Sequence, residues 1–211
     1  MTAHYRKGEN GTEIYLIEVE GGVRLVTPGE TVFGDYGRYI IDEERVELTG
    51  EGLLMESHRG TTRLTARDRL EYYLEEDVAV ARGGARVVRD EQELNADIIR
   101  AYFKPGESGN LEVARVEAEG HVGIRGKGDY ATGDRAVYYV GDDRVTLQGN
   151  VTVTRGENEL KGAFAEVNLA SGISRLTGGA PGSGTNERVQ GLIVPKSVGK
   201  KSGDEPAKEG N

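Results

Sequence analysis

Few residues in this chain have the types and spacing that chemistry requires. Its three histidines, His4, His58 and His121, are scattered in unrelated contexts, so they do not form the closely spaced ligand set of a metal or acid–base site. There is no cysteine, which excludes a thiol nucleophile, a thiolate metal site and a disulfide framework. The acidic clusters Asp42-Glu43-Glu44, Glu75-Glu76-Asp77 and Gly141-Asp142-Asp143 lack the ligand spacing of a calcium loop and read as solvated turns. Gly126-Lys127-Gly128-Asp129 has the glycines of a phosphate loop, but no Ser or Thr follows the lysine and no helix pattern follows the loop, so a hairpin turn is expected. Asn10-Gly11-Thr12 and Asn150-Val151-Thr152 match the glycosylation pattern at chance level. These residues point to no catalytic residue, no metal and no cofactor. The protein is read as a non-enzyme.

The elements that must position any site are set by a repeat. An alternating apolar strand with a central glycine runs Ile17, Val19, Gly21, Val23, Leu25. It returns as Val116, Ala118, Gly120, Val122, Ile124 and as Val145, Leu147, Gly149, Val151, Val153. Weaker copies centre on Gly50, Gly83 and Gly178, and successive central glycines lie 29, 33, 37, 29 and 29 residues apart. The longest interval holds the turn Pro105-Gly106-Glu107-Ser108-Gly109-Asn110. Thirteen residues after the glycine stands a small residue (Gly34, Ala96, Gly133, Gly162), with Ala66 in a looser unit. An Asp often follows (Asp35, Asp97, Asp134), then a Tyr (Tyr39, Tyr72, Tyr102, Tyr138), then a charged or glycine-bearing turn. The stretch from Arg67 to Glu76 looks helical but carries Asp68 and Tyr72 in repeat register, so it is read as strand.

Period-2 alternation over nine to eleven residues gives long strands with one dry and one wet face. A glycine in mid-strand costs stability unless the backbone bends there. Its recurrence therefore predicts strands that all bend at one place, as two sheets meeting along a glycine-rich crease. The fold class is all-β, an elongated jellyroll or solenoid with a narrow apolar interior. Six units at two strands each extend about 60 Å, and open sheet edges favour head-to-tail association, including a homo-oligomer. Only 36% of residues are hydrophobic and 30% are charged, consistent with a thin core.

The net charge of −9, with no basic run longer than Lys200-Lys201, argues against nucleic acid as a partner. No stretch approaches the ~20 apolar residues of a membrane helix, and the first residues lack the apolar core of a signal peptide. Met1 to Tyr5 matches the second half of a unit, which predicts that a first strand and leader precede it in the natural protein. Residues 1–195 are read as one domain, closed by Arg188-Val189-Gln190-Gly191-Leu192-Ile193-Val194-Pro195, and residues 196–211 as a disordered polar tail.

Pattern alone leaves two uses of the interior open. It is either a filled core in a structural repeat protein that polymerises through its edges, or a groove that holds a lipid chain. A polysaccharide-processing β-helix is a poor third, since no tryptophan is present to make a sugar platform.

Residues 145–195 carry a resemblance. The run from Val145 to Gly162, the segment Ala165-Glu166-Val167-Asn168-Leu169-Ala170-Ser171-Gly172 and the closing strand to Pro195 resemble the OstA-like lipopolysaccharide-transport family, and within it the periplasmic bridge proteins of the LptA type. The resemblance implies a β-jellyroll whose groove holds the acyl chains of lipid A. It implies a periplasmic place in a bridge that carries lipopolysaccharide from inner to outer membrane, between an LptC-like inner-membrane partner and the N-terminal domain of an LptD-like outer-membrane partner. Lining candidates, taken from the alternation, are Val23, Leu25, Leu48, Val122, Ile124, Leu147, Val151, Val153, Leu160 and Val167. Burying one twelve-carbon chain supplies on the order of 9 kcal/mol before ordering costs, so acyl burial outweighs screened repulsion between like charges.

Overall fold

The computed structural model describes residues 1–8, 11–58, 60–106, 109–126, 128–168, 174–179 and 189–192. The described residues fold as one antiparallel sheet of fifteen strands and contain no α-helix. In chain order the strands are β1 (Thr2–Gly8), β2 (Gly11–Val26), β3 (Glu30–Ile40), β4 (Arg45–Thr49), β5 (Leu54–Ser57), β6 (Arg63–Thr65), β7 (Arg69–Tyr73) and β8 (Val78–Arg89). They continue as β9 (Gln92–Pro105), β10 (Leu111–Arg125), β11 (Asp129–Tyr139), β12 (Arg144–Arg155), β13 (Asn158–Asn168), β14 (Ser174–Thr177) and β15 (Gln190–Leu192). Neighbours in sequence pair in space almost throughout, as short antiparallel connections require. The family of bent strands is as expected, but the expected two sheets are one: most strands run unbroken through the bend.

The bend has a specific backbone origin. In β2, β8, β10 and β12 two consecutive residues, Gly21-Gly22, Gly83-Gly84, Gly120-His121 and Gly149-Asn150, all have positive φ. The pairing register slips at each of these places, for instance between Glu119 and Val122 on β10 and between Gln148 and Val151 on β12. Two residues there oppose one on the neighbour, a β-bulge, and a bulge bends and twists its strand. Repetition in register folds the sheet into two limbs. The first limb leads up to each bulge on the even-numbered strands and the second leads away from it. In the second unit the bend is so wide that it breaks the strands, into β4 and β5 and into β6 and β7.

The 13-residue offset is the partner's side of this bend. Gly34, Ala96, Gly133 and Gly162 face Val23, Ala85, Val122 and Val151 directly. Their smallness lets the limbs close: a Cβ on Gly34 would lie 3.1 Å from Leu53 and 3.2 Å from Leu48, and one on Gly133 would lie 3.1 Å from Leu147.

The repeat's aspartates sit at the same place. Asp35, Asp68, Asp97 and Asp134 each reach under the next strand's glycine, Gly50, Gly83, Gly120 and Gly149, where an added Cβ would fall within 2.6 Å of the carboxylate. Asp35 accepts from the Glu51 backbone N–H at 2.7 Å, Asp97 pairs with His121 Nδ1 at 2.8 Å, and Asp134 accepts from Asn150 Nδ2 at 2.8 Å. Asp97 and Asp134 thus hold the neighbouring bulge in its bent form.

Candidate functional site

The inner face of the folded sheet is a continuous apolar surface built by the repeat, and its depth varies in a regular way. Residues two positions from the bulge form the crease. On the first limb, Leu48, Leu70, Ala81, Ile99, Ala118, Ala136, Leu147 and Ala165 are cross-strand partners in succession and all are buried. Leu53, Ala85, Val122 and Val151 face them from the second limb in the same cluster. Residues four positions from the bulge form the rim. On the second limb Val87, Leu94, Ile124, Ala131 and Val153 pair in succession and are half-buried against that cluster. Val46, Val116 and Val145 do the same on the first limb. The geometry is a V: filled at its apex, apolar and partly open toward its mouth.

The ten lining candidates divide along this depth. Leu48, Val122, Leu147 and Val151 lie at the apex with 4%, 1%, 2% and 1% exposure, enclosed by protein. Val23, Ile124, Val153 and Val167 are half-buried. Leu25 and Leu160 are exposed, at 38% and 36%, because they sit near the ends of the second limb. There β1 pairs only with the first-limb part of β2, and β15 covers only Glu159 to Lys161 of β13. The sheet therefore brings the candidates onto one face, with Leu25 and Leu160 at its ends. It also adds wall residues that the alternation list omitted, such as Val87 and Leu94. Their signal was available: they stand at the same offset from a central glycine as Ile124.

Aromatic residues mark the first limb's lip. Tyr39 and Tyr72 are both cross-strand partners of Val46, and Tyr138 is the partner of Val116 and Val145, so all three are on the inner face. Tyr102 is one residue out of step and faces outward, with Arg115 stacked 4.0 Å from its ring. The Tyr72 hydroxyl donates to Asp77 at 3.0 Å and that of Tyr138 to Asp143 at 3.1 Å. Both acids occupy the left-handed turn position closing their hairpin, with φ of 52° and 45°. Burial, then the bond to Asp77, pushes the Tyr72 hydroxyl up to about 12, and Glu30 of the opposite limb adds to the shift. Tyr138 is raised by burial and by Asp143, while Arg89 from the opposite limb acts the other way.

The outer face is polar and internally paired. Glu71, 5% exposed, accepts from Arg82 at 2.7 Å and Arg45 at 3.3 Å, with Arg69 at 3.5 Å. Glu47, 4% exposed, is held by Arg38 at 3.0 Å and Arg45 at 3.3 Å. These pairs keep the outer surface wet and leave the groove as the candidate binding surface.

The residues first weighed for chemistry take up local bonds. His4 pairs with Glu18 at 2.6 Å on edge strand β1, His58 with Thr31 at 2.8 Å, and His121 with Asp97 at the crease. Among the described residues no group of three or more potential ligands could hold a metal. Gly126 and Asp129 close the β10–β11 hairpin through a backbone bond of 3.0 Å, with Lys127 outside the described residues. Within the stretch 67–76, Arg69–Tyr73 is strand, as β7, and the residues on either side are bend and turn. Of the closing strand, Gln190–Leu192 pairs with β13, while residues 193–195, the expected tail at 196–211 and most of the Gly178 unit lie outside the described residues.

Known proteins share this architecture. A crystal structure of LptH from Pseudomonas aeruginosa, described as the LptA homologous periplasmic component of the conserved lipopolysaccharide transport device, superposes with a TM-score of 0.54 at 23% identity. The match covers 64% of this chain and 96% of that one, and it establishes the likeness of fold. An uncharacterised protein of Rhizobium meliloti (strain 1021) is 26% identical over 135 residues, 62% of this chain and 69% of its own length. The family model for the LptA/(LptD N-terminal domain) LPS transport protein matches residues 65–173, just over half of the chain, including the central units of the groove. This chain belongs to that family, and is a non-enzymatic lipopolysaccharide-transport protein of the Lpt bridge type.

Proposed function

We propose that this protein binds lipopolysaccharide and carries it through the periplasm from the inner to the outer membrane as one segment of a protein bridge. The acyl chains of lipid A lie between the two limbs. The observation that carries this reading is the unequal depth of the V. The apex is sealed by buried side chains, while an apolar rim runs along strand after strand without being covered by protein. A filled-core scaffold has no use for such a rim, whereas a succession of bound lipids does.

The rim residues Ile124, Val153 and Val167 line the groove where acyl chains lie, together with Val23, which holds a crease position but is half-buried. Leu25 and Leu160 extend it toward its ends, and the buried Leu48, Val122, Leu147 and Val151 form its floor. The outer edge of β1, on which no described strand pairs, and the edge that β14 and β15 make at the other end of the sheet are the docking edges for an LptC-like partner, an LptD-like N-terminal domain or another copy of the chain.

Ile124→Glu and Val153→Glu test the groove better than changes at the floor, where a buried carboxylate would unfold the protein. Native mass spectrometry of wild type purified with lipopolysaccharide is expected to show bound lipid. The two variants, folded by circular dichroism, are expected to lose it. Equal lipid on all three would refute the groove, and no lipid on wild type would favour a scaffold that assembles through its edges.

A further inference from the structure

Resting on that reading, we propose that Arg89 is the anchor for the anionic headgroup of the bound amphiphile, a phosphate whose acyl chains enter the groove. The position follows from the strand register. Val87 lies on the inner face, between Leu64 and Leu94. Arg89, two residues further on and paired with Gln92 at the tip of β8, is on the same face at the mouth. It is exposed and acts electrostatically on the Tyr138 ring, which belongs to the opposite limb. Arg89 therefore overhangs the mouth of the groove rather than its outer surface.

The other charged groups at that level have partners. Arg155 forks onto Asp129 with contacts of 2.7 and 2.5 Å. Glu30 is within 3.4 Å of the Thr27 hydroxyl, and Asp90, beside Arg89 in the turn, is held by Thr61 at 2.6 Å. On the first limb Asp77 and Asp143 accept the tyrosine hydroxyls. Arg89 makes no ion pair with any described residue. A protein of net charge −9 has here an inner-face guanidinium without an ion pair to any described residue, over an apolar groove, and a phosphate suits it: the planar fork binds such oxygens in pairs, at roughly twice the strength of neutral bonds. Both lips carry acids, Asp77 and Asp143 on the first limb and Glu30, Asp90 and Asp129 on the second, so the difference between them is the unpaired Arg89 of the second limb. The asymmetry would orient the amphiphile with its headgroup over the second limb.

The test uses the full chain and two probes, lipid A bearing its phosphates and the same lipid A dephosphorylated. Arg89→Glu is expected to weaken the phosphorylated lipid roughly ten-fold or more and to leave the dephosphorylated one within about two-fold, with Arg89→Lys in between. Arg24→Glu is the control: the charge change is the same, but Arg24 alternates with Val23 and Leu25, faces outward and stacks on Phe33. It is expected to alter neither affinity. Unchanged binding by Arg89→Glu, an equal loss for both lipids, or an equal loss in Arg24→Glu would each overturn the assignment while leaving the groove intact. Failure of wild type to bind either lipid would instead overturn the reading on which it rests.

Discussion

If the bulges fold the sheet, a methyl group at one of them should cost measurable stability, and Gly149 is the position to try. Its φ is +72°, and a Cβ there would lie 2.2 Å from Asp134 Oδ2 and 2.8 Å from its Cγ. Gly149→Ala therefore has two costs. Holding an L-residue in the left-handed region costs roughly 1–2 kcal/mol. The Asp134 carboxylate must also swing away, giving up the bond it accepts from Asn150 at 2.8 Å, which is worth about 1 kcal/mol. The sum, about 2–3 kcal/mol, corresponds to a fall in Tm of roughly 5–10 °C for a chain of this size. Scanning calorimetry on Gly149→Ala, Asp134→Ala and the double variant separates the parts. Removing the carboxylate first should make the glycine change cheaper, because only the backbone cost remains. Gly141→Ala is the reference, since nothing lies within 4 Å of its added Cβ and its φ is ordinary; it should be neutral. Gly149→Ala as neutral as Gly141→Ala, or strict additivity with Asp134→Ala, would refute the account of the crease.

Three further outcomes follow from the charged and aromatic groups. Glu71→Gln leaves Arg82, Arg45 and Arg69 sharing a neutral partner in a buried setting and should destabilise by about 3 kcal/mol. Glu43→Gln should be silent in the same thermal melts, because Glu43, 56% exposed, makes only a surface pair with Arg45. Tyr72, raised to about 12, contributes stability that is complete below the unfolded-state value near 10 and is lost as pH rises through 12. Alkaline unfolding curves should therefore lose part of their slope between those values in Tyr72→Phe, and an unchanged curve would show that the hydroxyl is held neither by burial nor by Asp77.

The repeat, the strand character of nearly every unit and the inner face were legible in the chain because they are local. Alternation fixes which side of a strand is dry, and glycine at a constant interval fixes where strands bend. The role of the aspartates was not legible. Asp134 acts on Gly149 and Asn150, fifteen and sixteen residues away, and that contact exists only once β11 and β12 are paired. The tyrosines show the same limit: Tyr102 stands one residue out of step with Tyr138, which is enough to turn it from the groove to the outer face.

By itself the sequence determined an all-β array of bent strands with one apolar face and no chemistry-bearing cluster, because period, glycine spacing and composition are properties of neighbours along the chain. Tertiary structure alone decided that this face closes into a V with Val151 on its floor and Val153 at its rim, two residues apart and otherwise alike. It also set Arg89 over the mouth. Depth in a groove is a relation between two limbs, and it depends on how far each residue lies from the crease where they meet.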